Sequence, residues 1–377
     1  MRISFFLMDF VLHYFEAIVH LTRIFDRLKF KFLFGFRGER MSFNGSNLAK
    51  ITDYICNLRG GSQPILVLAS DGLQYVVKFS NNLQGVNLPF NEGIGSALYR
   101  AVGLPCPDWK PLLLTDSFID QNPDCWMHTV EGRLRPAAGL CFASRFLGGM
   151  GTRVLELLPG SSFSRILNYE NFWLAWLIDI CAGHTDNRQA IFLEDATSWL
   201  TAFFVDHGHL FGGPNGDKRM HFSASRFLDT RIYQSVPSEY LLDLPKAISC
   251  LNLRRLWHIV EGLPADWQTP SAIEGFEGCL NRLANPSLLQ NILDSMVDCH
   301  QRQREWEKSA SQFDERPPAP VLHPRVRTSL RGRSIASDRT GYLYRRLGRG
   351  KRSTLSGSNR LAHSRLSRGS RLHPGNY

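Results

Sequence analysis

The sequence has no closely spaced pair of cysteines. Its eight cysteines are scattered through 377 residues, and no two of them form a C-x-x-C motif. Structural zinc sites need ligand pairs at short spacing, and disulfide-stabilised secreted domains are much richer in cysteine. The cysteine pattern therefore argues against both classes. It predicts free thiols in a reducing compartment, which we take to be the cytoplasm.

A long uncharged hydrophobic run is also missing. The N-terminal forty residues are rich in aromatic side chains, but charged residues such as Asp9, Glu16 and Arg23 interrupt them. No stretch approaches the roughly 20 apolar residues of a membrane-spanning helix, and no signal-peptide cleavage pattern is visible. Residues 1–41 are predicted to be an amphipathic extension. It would dock on the rest of the chain, lie on a membrane surface, or precede a true start at Met41.

Acidic residues are almost absent from the C-terminal part of the chain. From Arg316 to Tyr377 there are 15 lysines and arginines and a single acid, Asp338. This part has a net charge of +14, whereas the whole chain has a net charge of +10. The remainder is therefore mildly acidic. Residues 313–377 are predicted to be a disordered tail, because they are rich in Arg, Ser and Gly without periodicity. The tail would contact nucleic acid or an anionic surface, or stay solvated without a ligand.

Between these ends, the pattern changes from strand-rich to helical. In the first half we predict a short helix at NLAKITDYICNL, a hairpin of ILVLAS and QYVVKFS, a helix at NEGIGSALYRAVGL, and strands at KPLLLT and GLCFASRFL. The segment IDQNPDCWMHTVEGRLRP, before the last of these strands, is predicted to be a loop or lid.

In the second half we predict a long apolar helix over 161–183, two short strands at HTDNRQAIFLED and TAFFVDHGH, and helices over 236–300. This order predicts an α+β fold with two lobes. A small β-rich lobe covers 42–147 and a mainly helical lobe covers 148–312.

Four charged residues and a glycine loop are candidates for chemistry. Lys78 lies in an otherwise apolar strand, where a lysine is seldom buried without a partner, and Glu92 opens the following helix. Either residue alone has an ordinary explanation, as an edge-strand lysine and as a helix-capping acid. Asp186 and Asp206 bracket the two short strands, which would bring both carboxylates to one open end. There one could accept a hydroxyl proton and the other could hold a metal ion.

The turn before the first hairpin strand contains Gly60, Gly61 and Ser62. Glycines allow backbone N–H groups to approach phosphates closely, although a pair of glycines before a strand is usually only a turn. A phosphate loop, a strand lysine, an acid that orients it, and two further aspartates are the parts that phosphoryl transfer from ATP requires.

These stretches resemble the HipA-like kinases, relatives of the protein kinases and the phosphatidylinositol kinases. The similarity rests on GGSQPILVLASDG, on VVKF with NEGIGSALYRAVGLP, and on FVDHGHLFGGP. The resemblance implies a bilobal protein-kinase-like fold. It also implies that Lys78 binds the ATP phosphates, that Glu92 orients Lys78, that Asp186 is the catalytic base and that Asp206 is the principal Mg²⁺ ligand.

The same resemblance places the hinge that faces adenine at FASRFLG, which includes Phe142 and Arg145. The family's catalytic loop has an asparagine five residues after its aspartate, as second metal ligand, and this chain has Ile191 there. Gln189 and Asn187 both offer an amide oxygen nearby, and Gln189 is our candidate for the substitute ligand. The replacement leaves two alternatives, an active kinase and a nucleotide-binding pseudokinase.

Two other interpretations are open, and the first uses the same aspartates. His184, His207 and His209 could join the two aspartates in a metal-dependent phosphohydrolase site. Adjacent strand residues face opposite ways, however, and that reading gives Lys78 and Glu92 no role. Alternatively the chain is a non-enzymatic binding module that acts through its basic tail. The sequence favours an ATP- and Mg²⁺-dependent transfer to a hydroxyl group, expected to belong to a protein serine or threonine.

Overall fold

The computed structural model describes residues 48–149, 152–216, 225–233, 238–249 and 251–314, which all belong to one compact unit. The predicted extension at 1–41 and the predicted tail beyond residue 314 lie outside the described residues. None of the helices in the described ranges is long and apolar enough to cross a membrane. The seven cysteines in these ranges are free thiols, as the sequence predicts.

The N-terminal part of the described chain is rich in strands. They are β1 (Ile51–Asn57), β2 (Ile65–Ala69), β3 (Gln74–Lys78), β4 (Trp109–Leu114), β5 (Met127–Thr129), β6 (Gly132–Leu134) and β7 (Gly139–Arg145). Five of them form an antiparallel sheet in the order β1-β2-β3-β7-β4, and β5 and β6 form a separate hairpin.

The predicted β2–β3 hairpin is confirmed, since Ile65 pairs with Val77 and Gly72 takes the positive φ of +77° that the turn needs. The short helix predicted over the sequence of β1 is wrong. Residues 51–57 form an edge strand that pairs along its length with β2. Their apolar residues fit helical and strand spacing about equally well, and pairing with β2 decides between the two.

Two helices belong to this part, α1 (Leu88–Ala101) and α2 (Asp116–Gln121). Helix α1 is the one predicted from NEGIGSALYRAVGL, and it is buried along nearly its whole length. The segment predicted as a loop or lid is more ordered than expected, because it contains the end of α2, a short 3-10 turn at Pro123–Cys125 and the β5–β6 hairpin. The side chain of Thr115 caps α2 by accepting a hydrogen bond from Phe118 N–H.

The C-terminal part is mainly helical. Its strands are β8 (Arg153–Leu155), β9 (Gln189–Glu194) and β10 (Leu200–Val205), and its helices are α3 (Asn171–Ala182), α4 (Ser238–Ser249), α5 (Leu253–Gly262), α6 (Pro270–Leu283) and α7 (Pro286–Asp314). The strands form one small antiparallel sheet in the order β10-β9-β8.

The two short strands predicted around Asp186 and Asp206 are thus confirmed as β9 and β10. The long helix predicted over 161–183 is shorter than expected, because residues 160–165 form a 3-10 turn and α3 begins only at Asn171. Helix α3 ends at Gly183, whose left-handed φ of +65° is the usual C-terminal stop.

Two hydrophobic clusters support this arrangement. One lies within the five-stranded sheet and its loops, around Val67, Val77 and Leu112. The larger one contains α3 and extends to Phe90 and Ile94 of α1, so α1 is packed into the core of the helical part. The predicted α+β class, with a β-rich N-terminal part and a helical C-terminal part, is confirmed.

Candidate functional site

Three residues from separate parts of the chain meet where the sheet faces α1. Lys78 Nζ donates hydrogen bonds to Glu92 Oε1 and, at 2.7 Å, to Asp206 Oδ1. Lys78 and Glu92 are buried, whereas the Asp206 side chain retains 21% of its exposure. Asp206 is therefore the member of this group that a solvent-borne ligand reaches first.

The local structure explains why Lys78 points inward. It is the last residue of β3 and lies opposite Phe142 of β7, so both side chains are on the face of the sheet that α1 covers. A buried ammonium group must be paired, and the two carboxylates supply that pairing.

The charges of this group depend on one another. Burial alone would lower the pKa of Lys78, but attraction to Asp206 and Glu92 outweighs it and raises the pKa above its ordinary value. Burial likewise favours the neutral form of Asp206, yet Lys78 holds its pKa well below the usual range. Lys78 is thus an ammonium ion and Asp206 a carboxylate at neutral pH.

Helix α1 also holds the loop that follows Asp206. Glu92 accepts hydrogen bonds from the backbone N–H groups of His207 at 3.1 Å and Gly208 at 2.9 Å. The adjacent Asn91 is fully buried, and its Nδ2 donates to the carbonyl oxygens of Gly208, Leu210 and Gly213. Two consecutive helix residues therefore satisfy both the donors and the acceptors of this loop.

Asp206 has a φ of +60°, in the left-handed region that non-glycine residues rarely adopt. This conformation turns the chain at the end of β10, so that Asp206 contacts Lys78 while His207 is buried on the other side. Backbone strain of this kind persists only where the surroundings fix it, as α1 does here.

Arg188 lies beneath the loop and ties the two strand ends together. Its guanidinium group makes two hydrogen bonds with Asp179 of α3, at 2.7 and 2.8 Å, and donates to the carbonyl oxygen of Val205 at 3.0 Å. Tyr99 of α1 donates to the same Asp179 carboxylate at 2.5 Å. The buried acid is therefore fully paired, and α1, α3 and β10 share one polar network.

Asp186 lies at the same end of the β9–β10 pair as Asp206, as predicted, because Gln189 pairs with Val205. The Asp186 side chain is 44% exposed, and its Oδ2 lies 4.0 Å from His209 Nε2. His209 Nδ1 is 3.1 Å from Thr185 Oγ1. His209 thus connects the loop after Asp206 with the segment that carries Asp186.

The glycine turn approaches the site through Gln84. A Cβ atom at Gly61 would lie 2.8 Å from Gln84 Nε2, and Gln84 Nε2 lies 3.4 Å from His209 Nε2. Gly60 has a φ of +139°, which favours glycine, and Ser62 is buried. Gly60, Gly61 and Ser62 are therefore on the side of the site that contains His209 and Asp186.

The remaining predicted residues lie on strands β7 and β9, and Arg145, three residues after Phe142, is on the opposite face of the sheet from Phe142 and Lys78. Phe142 is buried with its ring 5.7 Å from that of Trp109, and Arg145 is exposed at the end of β7. Gln189 is exposed at the start of β9, and Ile191 is half-buried two residues further along the same face. The nucleotide role of Phe142 and Arg145 and the metal role of Gln189 stay predictions.

The donor set is compatible with Mg²⁺, which prefers oxygen ligands and usually keeps several waters. Lys78 occupies Oδ1 of Asp206, while Oδ2 has no hydrogen-bond partner among the described residues. No group of three His, Cys, Asp or Glu side chains in the described ranges could hold a metal ion without other ligands.

The structure argues against the phosphohydrolase interpretation. His207 is buried beside Arg188, which removes it from the proposed cluster of histidines and aspartates.

Sequence reasoning missed Asn91 and Gln84 as parts of the site. Asn91 precedes Glu92 in a helix, where nothing marks it as different from a surface residue. Gln84 lies in the irregular segment after β3, and its contact with His209 spans 125 positions of the chain. Neither contact leaves a signal in local spacing.

No protein-family model matches the sequence, and no curated protein matches it. Among solved structures, the chain is similar to the Helicobacter pylori proinflammatory kinase CtkA, with 11% identity and a TM-score of 0.44 over 68% of this chain and 97% of that one. It is also similar to the Golgi casein kinase, with 14% identity and a TM-score of 0.41 over 66% of this chain and 74% of that one. A structure of the Golgi casein kinase with Mn and ADP bound gives 12% identity and a TM-score of 0.37, over 66% and 73% of the two chains.

Proposed function

We propose that this protein is a phosphotransferase of the HipA-like kinase type, which moves the γ-phosphoryl group of ATP to a hydroxyl group in a Mg²⁺-dependent reaction. The observation that carries the proposal is the buried Lys78, bound at once to Glu92 and Asp206. Phosphoryl transfer depends on positioning and electrostatic stabilisation, and a fixed ammonium group beside a metal-competent carboxylate provides both.

Each residue has a distinct role in this proposal. Lys78 would bind the α- and β-phosphates, and Glu92 would hold Lys78 in place. Asp186 would accept the proton of the acceptor hydroxyl, which requires an accessible carboxylate, and its side chain is 44% exposed. The backbone of Gly60 and Gly61 would cover the phosphates.

Asp206 would be the principal metal ligand through its free Oδ2, with Gln189 as the second protein ligand. Bound Mg²⁺ would neutralise charge on the phosphate oxygens during transfer. Since Lys78 holds the pKa of Asp206 well below its usual range, the carboxylate would be ionised and ready for a cation across the physiological pH range.

The acceptor is proposed to be a serine or threonine of a protein in the cytoplasm. Asp186 and His209 lie at the open end of the β9–β10 pair, which gives a polypeptide side chain access to the base. A lipid or a small-molecule alcohol would use the same chemistry, so the acceptor class must be tested separately.

Nucleotide binding with and without Mg²⁺ tests the site. We expect Lys78→Ala to abolish ATP binding, Asp206→Ala to remove its dependence on Mg²⁺, and Asp186→Ala to retain binding but lose transfer of ³²P from labelled ATP. Lys110→Ala is the matched control, because Lys110 is also a strand lysine paired with an aspartate, Asp71, but lies on the surface of β4. Equal ATP binding by all these variants, or none by the wild type, would contradict the proposal.

A nucleotide-binding pseudokinase is the second candidate, and Ile191 is the observation that favours it. A half-buried isoleucine on β9 occupies the position where the resemblance places an amide ligand. If Gln189 replaces that ligand, Gln189→Ala weakens Mg²⁺-dependent ATP binding and reduces transfer. If the protein is a pseudokinase, the wild type binds ATP without transfer and Asp186→Ala changes nothing. In that case Ile191→Asn, which restores the asparagine of the family's catalytic loop, is the first variant to assay for phosphoryl transfer.

A further inference from the structure

The turn with the two glycines is held by a side chain that sequence reasoning gave no role. Gln63 follows Ser62. The oxygen and the nitrogen of its side-chain amide each make a hydrogen bond to the backbone of His128, in the β5–β6 hairpin. Gln63 Nε2 donates to the His128 carbonyl oxygen at 2.7 Å, and His128 N–H donates to Gln63 Oε1 at 2.7 Å. This two-point contact copies the pairing of adjacent strands and fixes the amide in one orientation.

Gln63 adopts a strained backbone conformation to make this contact. Its φ is +45°, in the left-handed region that favours glycine, although the turn already contains two glycines. Such a conformation persists only where the surroundings hold the residue, and the two bonds between the Gln63 amide and His128 do so here. Its own N–H closes the turn on the carbonyl oxygen of Gly60 at 3.1 Å.

The turn is held from a second side as well. The Ser62 carbonyl oxygen accepts a hydrogen bond from Asn82 Nδ2 at 2.7 Å, four residues after Lys78. Gln84 N–H donates to Asn82 Oδ1 at 3.0 Å, which keeps Gln84 beside Gly61. The turn is therefore held both by the segment that follows the lysine strand and by the β5–β6 hairpin.

We propose that Gln63 is a positioning residue, which with the β5–β6 hairpin presets the conformation of the phosphate-binding turn. This inference rests on the proposed function for the statement that the turn binds phosphates. Its structural part, that Gln63 immobilises residues 58–64, is independent of any ligand. A preset turn binds phosphates without the entropic cost of ordering the loop.

In this proposal the β5–β6 hairpin helps to hold the phosphate-binding turn in place. The segment from α2 to β6 bonds to the turn through Gln63 and to the end of β1 through Asn57, whose Nδ2 donates to the Asp124 carbonyl oxygen of the 3-10 turn at 2.9 Å. Since the acceptors in this segment, on His128 and Asp124, are backbone atoms, the contacts depend on where the segment lies and not on its side chains.

Three variants separate this role from alternatives. Gln63→Gly removes the contact and relieves the backbone strain, and His128→Pro removes the N–H that donates to Gln63. Because that N–H bonds to Gln63, its loss takes no hydrogen bond from the β5–β6 pair. His128→Ala is the matched control, since it keeps both backbone groups.

Hydrogen exchange of the free full-length protein tests the structural part. We expect amides of residues 58–64 to exchange about tenfold faster in Gln63→Gly and at least severalfold faster in His128→Pro, with exchange in α3 unchanged. His128→Ala should match the wild type. Unchanged exchange at 58–64 in both variants would overturn the inference.

Nucleotide affinity tests the functional part. We expect the Kd for ATP to rise about tenfold in Gln63→Gly, while the Kd for adenosine, which lacks phosphates, stays at its wild-type value. Equal losses for ATP and adenosine would show a general structural effect and would overturn the positioning role. If the wild type binds no ATP, the proposed function fails, and the exchange experiment still decides whether Gln63 fixes the turn.

Discussion

Lys78 Nζ lies 2.7 Å from Asp206 Oδ1, although 128 positions of the chain separate the two residues. The same ammonium group binds Glu92, so one cation pairs with two carboxylates at the junction of the sheet and α1. Removing it would leave two acids in a largely buried site. The stability of the fold and the chemistry proposed for the site therefore depend on the same side chain.

Lys78→Met should lower the free energy of unfolding by about 3–5 kcal/mol, because it leaves a buried charge without its partner. The double variant Lys78→Met with Glu92→Gln should lose less, since one of the unpaired acids is removed as well. Urea denaturation measures both. Lys110→Met, at the more exposed pair with Asp71, should cost less than about 1 kcal/mol. Similar losses at both lysines would contradict the buried pairing.

Asn91→Asp should lower the free energy of unfolding by about 2–4 kcal/mol. The variant replaces an amide donor with a carboxylate that faces three carbonyl oxygens, those of Gly208, Leu210 and Gly213. Asn252→Asp is the control, because Asn252 caps α5 by accepting a hydrogen bond from Arg255 N–H, and aspartate caps equally well. Thermal denaturation of the two variants compares the same Asn→Asp change at a buried position and at an exposed helix cap.

Gly95→Ala should destabilise the protein by about 1–3 kcal/mol, even though alanine is the better helix former. A Cβ atom at Gly95 would lie 2.6 Å from the Cβ of His207 and would push the Asp206 loop away from α1. Gly278 is also inside a helix, but there a Cβ atom meets only the end of Arg282, at 3.4 Å. Gly278→Ala should therefore leave stability unchanged or raise it by up to about 1 kcal/mol. Denaturation midpoints that fall equally in both variants would contradict this explanation.

Stability should decrease as the pH falls from 7 to 5. Burial, with the nearby charge of Arg188, lowers the pKa of His184 to about 4. Below about pH 6.5 the unfolded chain binds a proton at this histidine that the folded chain does not, so the contribution of His184 to the free energy of unfolding falls with pH, by up to about 1.4 kcal/mol per pH unit. Burial also lowers the pKa of His207, which adds to the slope in the same direction. His184→Gln should flatten this dependence, whereas His258→Gln, at an exposed histidine, should not. Denaturation curves at pH 5, 6 and 7 compare the three proteins, and equal slopes would contradict the assignment to His184.

Local pattern was enough for several elements. The β2–β3 hairpin follows from apolar strands around Asp71-Gly72, and α1 follows from its periodicity and the glycine that ends it. The same kind of reasoning failed at β1, whose residues 51–57 fit two periods, and at the segment of 116–134, whose α2 and hairpin are short. Short elements have few residues to establish a period, and their neighbours in the fold decide what they become.

The residues of the candidate site also fall into two groups, those that the local sequence marks and those that it does not. The sequence singled out Lys78, Glu92, Asp186 and Asp206 as candidates, since charged residues at the ends of apolar strands and helices are recognisable in the sequence alone. It did not identify Asn91 and Gln84 as parts of the site, and Gln63 was noted only as part of the phosphate-loop resemblance. These three residues act through backbone groups or side chains far away in the chain, such as His128 and His209, and no local spacing encodes those distances.

By itself, therefore, the sequence determined most of the longer strands and helices, the α+β class and which charged side chains needed a partner, because burial of apolar residues fixes the period of an element that is long enough to show one. Only the tertiary structure decided which partner each charge received and which polar side chains hold the two loops, because those hydrogen bonds form between residues that the packing of α1 against the sheet and the helical part brings together.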